Sequence, residues 1–291
     1  PVTRGKLAYK TIDSVFQQVG FKNIELLLAG NSTLDQNFCK NTIERYSEEK
    51  LKIFFSRKKK LAGDARNDGL NYFKSKKNKP NFILFLDDDV VIPKNYCLTL
   101  VNFLNKTNSC AVSGRLVSEP SNNIYKKIID YSNFWWLQNK KSFINRGWIA
   151  SAATIVKSSY IKKFKFESIY TNEDTFFFNQ ISQFSNKPLS ICAETNAFHF
   201  HSRDTLLKLV DYQFKNGYYG PQFRKMRPSL FGAIKNIRLL FYSSYKNNYV
   251  DMKNNYALIF GVLFSFVIFQ IGIECQALRC FVWLHFKKKS I

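Results

Sequence analysis

Three consecutive aspartates, Asp87-Asp88-Asp89, follow directly on the apolar run Phe82-Ile-Leu-Phe-Leu86. Acids crowded at the mouth of a buried strand repel one another unless a cation sits among them. A hard divalent ion meets that need, because one or two carboxylates together with substrate phosphates commonly hold Mg²⁺ or Mn²⁺ where phosphate groups are handled. The competing reading is a solvated turn, with Pro93 opening the next helix. A second acidic pair, Glu173-Asp174, stands near the start of a helical pattern, where the helix dipole alone would favour carboxylates. His199 and His201, two of the chain's three histidines, alternate with Phe198 and Phe200, so on an extended backbone both imidazoles share one face. Such a pair either serves the structure or places a nitrogen donor at the cation or at a diphosphate. His201, directly ahead of a basic helix, is the preferred donor.

These groups need elements to hold them. Leu7, Ile12, Val15 and Phe16 suit an amphipathic helix over 6–19, and Ile24 to Ala29 reads as a buried strand. A helix at about 35–48, a strand at 51–55, a helix from Ala62 to Phe73 and the wholly apolar strand 82–86 follow. Strands alternating with helices imply parallel crossovers and an α/β sheet whose ligands sit at the carboxyl ends of the strands. Beyond a helix near 94–106 and a strand near 110–117, residues 118–146 lose periodicity and gather aromatics, including Trp135-Trp136, as a substrate loop or as packing. A strand near 148–156, a helix near 173–184, short strands near 189–200 and basic helices from 204 to about 245 complete the pattern. The opening Pro1-Val-Thr-Arg4 has neither an initiator Met nor a basic-then-apolar leader, so the true first residues, and with them the first strand, are expected to lie before it.

Composition sets the outer limits. With 291 residues, 45% of them hydrophobic and 22% charged, the chain can bury a real core, which excludes a disulfide mini-protein and a wholly disordered chain. The 44 Lys and Arg against 21 Asp and Glu give +23, which suits nucleic acid, an acidic membrane surface or a phosphorylated small molecule, or reflects background composition. The six cysteines have no CxxC spacing and no cluster with His, so they read as reduced and structural. Tyr256 to Ile273 has Gln270 as its one strongly polar side chain and would reach about 27 Å as a helix, just enough to cross a bilayer. The other readings are a buried core helix, or a re-entrant hairpin formed with Cys280 to Phe286. Seven Lys/Arg against one Asp in 221–253, and Lys287-Lys288-Lys289 beyond, put basic flanks on both sides, so charge bias leaves the orientation open.

Five motifs in order resemble the family 2 glycosyltransferases, nucleotide-diphospho-sugar transferases of the GT-A fold. Pro1-Val-Thr-Arg-Gly with IDSVFQQ (12–18) is similar to the end of that family's first strand and its following helix. GDARNDGL (63–70) is similar to its ARNxG helix start, FLDDDVVIP (85–93) to its DxD segment, and Asn172-Glu173-Asp174 to its ED segment. His199 or His201, followed by a basic helix ending Tyr218-Tyr219-Gly220, resembles its late His and YG stretch. The resemblance implies a mostly parallel, Rossmann-like α/β sheet flanked by helices as the catalytic domain over 1–220. A basic, interfacial helical segment over 221–255 and a transmembrane anchor with a basic tail over 256–291 would follow.

By the same resemblance, Asp87 would hold the ribose and Asp89 the Mn²⁺ or Mg²⁺, with Asp88 in a less defined role and His199 or His201 completing the metal shell. Arg66 would sit by the nucleotide or diphosphate. Asp174 would be the general base, with Glu173 positioning the acceptor or the base, and a direct displacement would invert the anomeric carbon. Where the family usually carries an acid that contacts the nucleobase, this chain has Gly30 in Ala29-Gly-Asn-Ser-Thr-Leu-Asp35, so Asn31 or Asp35 would substitute, or the donor would not be a UDP-sugar. Trp148 falls where such enzymes contact donor or acceptor, a position that packing would explain equally well. The implied partners are a nucleotide-diphosphate sugar, a lipid-linked or polysaccharide acceptor and a membrane, with the catalytic domain cytoplasmic and no nucleic acid bound. Two readings compete: a nucleotidyltransferase, against which stands the lack of a Gly-rich phosphate loop, and a non-enzymatic basic binder of nucleic acid or membrane.

Overall fold

The computed structural model describes residues 5–30, 36–46, 51–55, 60–119, 121–138, 141–145, 149–161, 163–219, 230–247 and 252–289. The chain forms two compact units, one built from Pro1–Glu119 and Asn139–Phe200, the other from Pro120–Gln138 and His201–Ile291.

In the first unit the expected alternation is present. Helix α1 (Gly5–Phe16) leads to β1 (Leu26–Gly30), α2 (Gln36–Tyr46), β2 (Leu51–Phe55), α3 (Ala62–Ser75) and β3 (Phe82–Leu86). β1 and β2 pair in parallel, Leu26 opposite Leu51, and Ala8, Ile12, Leu28, Phe38 and Leu51 bury one another beneath them. The larger sheet contains β3, β4 (Val90–Val91), β5 (Ala111–Ser118), β6 (Phe143–Asn145), β7 (Ala153–Lys157) and β8 (Leu189–His199), in the order β3-β7-β5-β8-β4 with β6 also on β8. β5 and β8 are parallel, whereas β7 runs antiparallel to both β3 and β5. Strands β3, β5 and β8 therefore point the same way, with β7 reversed between β3 and β5 and with β4 and β6 both antiparallel to β8, so the sheet is mixed. Helix α4 (Tyr96–Lys106) is tied across it, because the Tyr96 hydroxyl donates to the Ala153 carbonyl at 2.7 Å and accepts from the Gly114 N–H at 2.9 Å. A side chain at Gly114 would stand 2.6 Å from that ring, which is why a residue without Cβ occupies the β5 crossing. A cavity of about 850 Å³ is lined by Leu27 and Ala29 of β1, Ala65 and Leu70 of α3, and Ile83 and Phe85 of β3.

The second unit is helical. It comprises α5 (Ile124–Ile129), one π-helical turn over Asp130–Phe134, a 3₁₀ turn over Trp135–Gln138, and the helices α7 (Leu206–Tyr219), α8 (Leu230–Asn247) and α9 (Tyr256–Lys289). Asn123 starts α5 by accepting from the Tyr125 and Lys126 amides at 2.9 and 3.1 Å, a side-chain cap for otherwise unpaired N–H groups. Ile128, Ile129, Leu209, Met252, Leu258, Val262 and Phe266 form its core. α9 is long and apolar enough over Tyr256–Gln276 to cross a membrane. It approaches α7 with backbone in contact, since a Cβ on Gly217 would collide with the Phe269 carbonyl and one on Gly272 with that of Phe214.

Candidate active site

The aspartate triplet ends β3 in a tight turn. The Asp87 N–H donates to the Ala152 carbonyl of the β7 side at 3.0 Å, and the Val90 N–H returns to the Asp87 carbonyl at 3.1 Å. Thr11 of α1 donates its hydroxyl to the Asp88 carbonyl, while the Asp89 carbonyl accepts from the Phe200 N–H at 2.7 Å. Four segments thus fix three consecutive residues, and the acids diverge. Asp88 and Asp89 are buried, and Asp87 is half-buried. The Asp89 carboxylate lies 3.3 Å from His199 Nε2, the last residue of β8, which the β4–β8 pairing sets opposite Val90. Among the described residues no group of three or more His, Cys, Asp or Glu side chains gathers into a ready-made metal cage.

Arg66, from the first turns of α3, enters the same site from the other side. Its guanidinium donates through Nη1 to Glu173 Oε1 at 2.6 Å and through Nη2 to Asp87 Oδ1 at 2.8 Å, lying 5.5 Å from the centre of the Phe166 ring. Burial opposes its charge, but Asp87, Glu173 and Asp174 outweigh that and hold its proton more tightly than usual. Burial likewise opposes ionisation of Asp87, yet the guanidinium keeps this carboxyl below its ordinary range. Glu173 goes the other way. Burial and the neighbouring Asp174 charge push it up to about 7, against the pull of Arg66. Asp174 is also raised, chiefly by burial, although Arg66 and two amide donors work in the opposite direction. Those donors are Ser151 N–H to Oδ2 at 3.1 Å and Thr175 N–H to Oδ1 at 2.7 Å, one to each oxygen, so the plane of the carboxylate is set by backbone.

The description Glycosyl transferase family 2 matches residues 3–169, more than half of the chain, and takes in α1, Arg66 and the aspartate triplet. The chain belongs to that family. It is a nucleotide-sugar glycosyltransferase, and nucleotidyl transfer or a purely binding role gives way to that membership. No curated protein sequence matches it. Among solved structures, the mannosyltransferase PcManGT from Pyrobaculum calidifontis in complex with GDP-Man and Mn²⁺ is similar in fold, with a TM-score of 0.60 and 10% identity over 96% of this chain and 84% of that one. S. aureus TarS 1–349 is similar with a TM-score of 0.52 and 13% identity, over 94% of this chain and 88% of that one.

In this glycosyltransferase the structure brings together Arg66, Asp87 and Glu173 in one hydrogen-bonded group, with Asp174 beside Glu173 and within electrostatic reach of the guanidinium, and Asp89 with His199 in a second. Glu173, Asp174 and His199 lie beyond the residues of the family match. His201 lies in the other unit. Fully buried, it stands with Nε2 3.4 Å from Asp130 Oδ1, and its Nδ1 accepts the Arg203 N–H at 3.3 Å. The strand ends at His199, so the alternation of the two histidines stops there. Asn31, Asp35 and Trp148 lie outside the described residues.

Several supporting residues went unrecognised in the sequence. Asn67, next to Arg66, clamps Phe166 by donating to its carbonyl and accepting from its N–H, both at 2.8 Å. Phe166 stacks on Phe177 at 3.9 Å, with Phe85 edge-on to both, which makes the apolar floor under the guanidinium. Gly63 permits the approach, since a Cβ there would be 2.5 Å from the Glu167 carbonyl and 3.3 Å from Glu173 Cγ. The signals were the Asn of ARN and the run Phe176-Phe177-Phe178 directly after Glu173-Asp174-Thr175, but neither names its distant partner.

Proposed function

We propose that this glycosyltransferase transfers a sugar from a nucleoside-diphosphate donor to a lipid-linked or polysaccharide hydroxyl, with inversion, using Mn²⁺ or Mg²⁺. The observation that carries the reading is the Arg66 bridge: one buried guanidinium joins the triplet acid Asp87 to Glu173, the neighbour of Asp174, although 107 positions separate Arg66 from Glu173.

Asp174 takes the acceptor's proton. Its carboxylate is oriented by two amides, and burial makes it a stronger proton acceptor than an ordinary aspartate. As that proton moves to a carboxylate oxygen, the acceptor oxygen bonds to the anomeric carbon and the bond from that carbon to the diphosphate oxygen breaks, so one displacement inverts the centre. Arg66 has both terminal nitrogens engaged by acids, so it aligns Asp87 and Glu173 and supplies fixed positive charge beside the donor diphosphate. Asp87, half-buried and held ionised, is free on its second oxygen to accept from a ribose hydroxyl.

Asp89 and His199 would hold the ion. A carboxylate oxygen and an imidazole nitrogen 3.3 Å apart, both buried, match two neighbouring donors of one small divalent cation, with phosphate oxygens filling other positions. Bound there, the ion would act as a Lewis acid on the leaving diphosphate. PcManGT, similar in fold, is complexed with GDP-Man and Mn²⁺, in keeping with this donor class. The 1–220 catalytic, 221–255 basic and 256–291 anchoring segments, membrane association through the apolar helix, and a cytoplasmic catalytic domain belong to the same proposal.

The test is a thermal-shift screen of UDP-, GDP- and dTDP-sugars with Mn²⁺, followed by transfer assays, since a ligand that binds only the folded chain raises its apparent stability. Stabilisation by one donor class that needs the metal, and that is lost in Asp89→Asn, is expected. Full metal-dependent transfer in both Asp89→Asn and Asp174→Asn would remove the assignment.

A further inference from the structure

Between Tyr256 and Ile271 the side of α9 turned away from its own unit is apolar. Tyr256, Phe260, Leu263, Phe264, Val267 and Ile271 recur at three- and four-residue steps and are between 36% and 73% exposed. The opposite side holds Leu258, Val262 and Phe266 in the core and Ser265 in contact with Gln213. A helix that simply crossed a bilayer would be free to meet lipid all round, but this one is covered on one side by α7. Contacts between α7 and α9 advance together, Gln213 at Ser265 and Gly217 at Phe269 and Gly272, so the two helices run side by side in the same direction.

That neighbour cannot enter hydrocarbon cheaply. Lys208 pairs with Asp204 at 2.8 Å and Lys215 with Asp211 at 2.7 Å, all with side chains about half exposed. On α7 the residues facing α9 are Leu209, Gln213 and Gly217, and at 3.6 residues per turn Lys208, Asp211 and Lys215 fall roughly opposite. Set perpendicular to a bilayer, α9 would carry α7 into the same depth, and each charge near the centre costs about 2.5–3.5 kcal/mol. Laid along the surface, the same pair puts the charged side of α7 into water and the apolar stripe of α9 into the lipid boundary.

We propose that α9 lies in the plane of an anionic lipid surface, with Tyr256 to Ile271 seated at the acyl boundary and α7 on its aqueous side, rather than crossing the bilayer. The inference rests on the membrane association proposed above and adds its geometry. Charge selects the occupant. The segment before the stripe, 221–253, carries seven Lys/Arg against one Asp, and the chain's +23 attracts anionic headgroups while repelling a second copy.

The experiment uses the full chain on vesicles of phosphatidylcholine and phosphatidylglycerol. Spin labels are placed by Phe260→Cys, Phe264→Cys, Val267→Cys or Ile271→Cys in a Cys39→Ser, Cys275→Ser, Cys280→Ser background, leaving Cys97, Cys110 and Cys192, which are buried. Depth is read from relaxation by oxygen and by a water-soluble nickel complex. Equal, shallow depths at all four sites are expected, with a Lys215→Cys label fully in water. A depth that changes steadily by about 16 Å between positions 260 and 271, at 1.5 Å per residue, means a span and overturns the proposal. Dry labels on vesicle-free dimers mean a second copy, and overturn it too. Absence of vesicle binding defeats the membrane reading itself, while donor hydrolysis assayed in solution reports separately on the catalytic one.

Discussion

A polar cluster is buried in each unit at Arg66 and at Gln213, and these two are built from opposite materials. In the catalytic unit a guanidinium holds two carboxylates beside a third, with Arg66 and Glu173 buried and Asp87 and Asp174 half-buried. In the helical unit, Gln213 donates to Ser132 at 2.8 Å and to Ser265, and Ser265 donates to Ser132 at 3.0 Å, so only neutral groups bond to one another. Charges in a poorly solvated place are costly to keep but shift proton affinities, which is what a group-transfer site needs. Neutral hydrogen bonds fix helix register and leave chemistry untouched. On the proposed function, the contrast separates a cluster that reacts from one that aligns.

The largest way to break the contrast is Asp174→Asn, for which turnover falls by about 10²–10⁴-fold, the usual contribution of a positioned base, while Tm moves little because Asn keeps an acceptor for the Ser151 or Thr175 amide. Turnover within a factor of two of the parent would remove Asp174 from the chemistry.

Next comes Arg66→Met, which strands a buried carboxylate and destabilises the fold by about 3–5 kcal/mol, measured by urea unfolding. The pH dependence sharpens this. Glu173 binds its proton more tightly folded than unfolded, so its contribution to stability falls as pH rises from its ordinary value through about 7 and is constant above. The Arg66→Met loss is therefore larger at pH 8 than at pH 6, where Glu173 can take up a proton.

In the helical unit Gly217→Ala forces α7 and α9 apart and is expected to lower stability by about 1–3 kcal/mol, and Gln213→Leu by about 1 kcal/mol, both with no pH dependence between 6 and 8. A pH-dependent loss in either variant would dissolve the distinction between the clusters.

The smallest effect is a displaced titration. The acid limb of kcat/KM lies above the ordinary aspartate range, and in Arg66→Gln the residual activity has its limb at higher pH, because the charge that pulls Asp174 down is gone. A limb that stays in place would separate Arg66 from Asp174.

Much of the catalytic unit was legible in the sequence because its signals are local. The run 82–86 is wholly apolar and is the strand β3 with those bounds, and the Ala62 helix start and the 173–184 helix are α3 and α6 (Glu173–Ser185) within a residue or two. The reversed strand β7 was not legible, since its pattern is the same whichever way it runs and only its neighbours β3 and β5 decide direction. Nor was the division of the histidines, because alternation predicts a shared face only while the strand lasts, and β8 ends at His199. Asn67 and Phe166 are a clamp only across 99 positions of sequence, a distance no local pattern spans.

The amino-acid order alone determined which residue types stand at strand ends and helix starts, and hence that acids, an arginine and a histidine were available at the carboxyl edge of an α/β sheet. Tertiary structure decided which of them meet: that Arg66 spends both arms on Asp87 and Glu173, that His199 faces Asp89, and that an apolar helix is coated on one side by a charged one. Propensity and periodicity act over a few residues, whereas a buried charge is settled only by whatever the folded chain brings within hydrogen-bond reach.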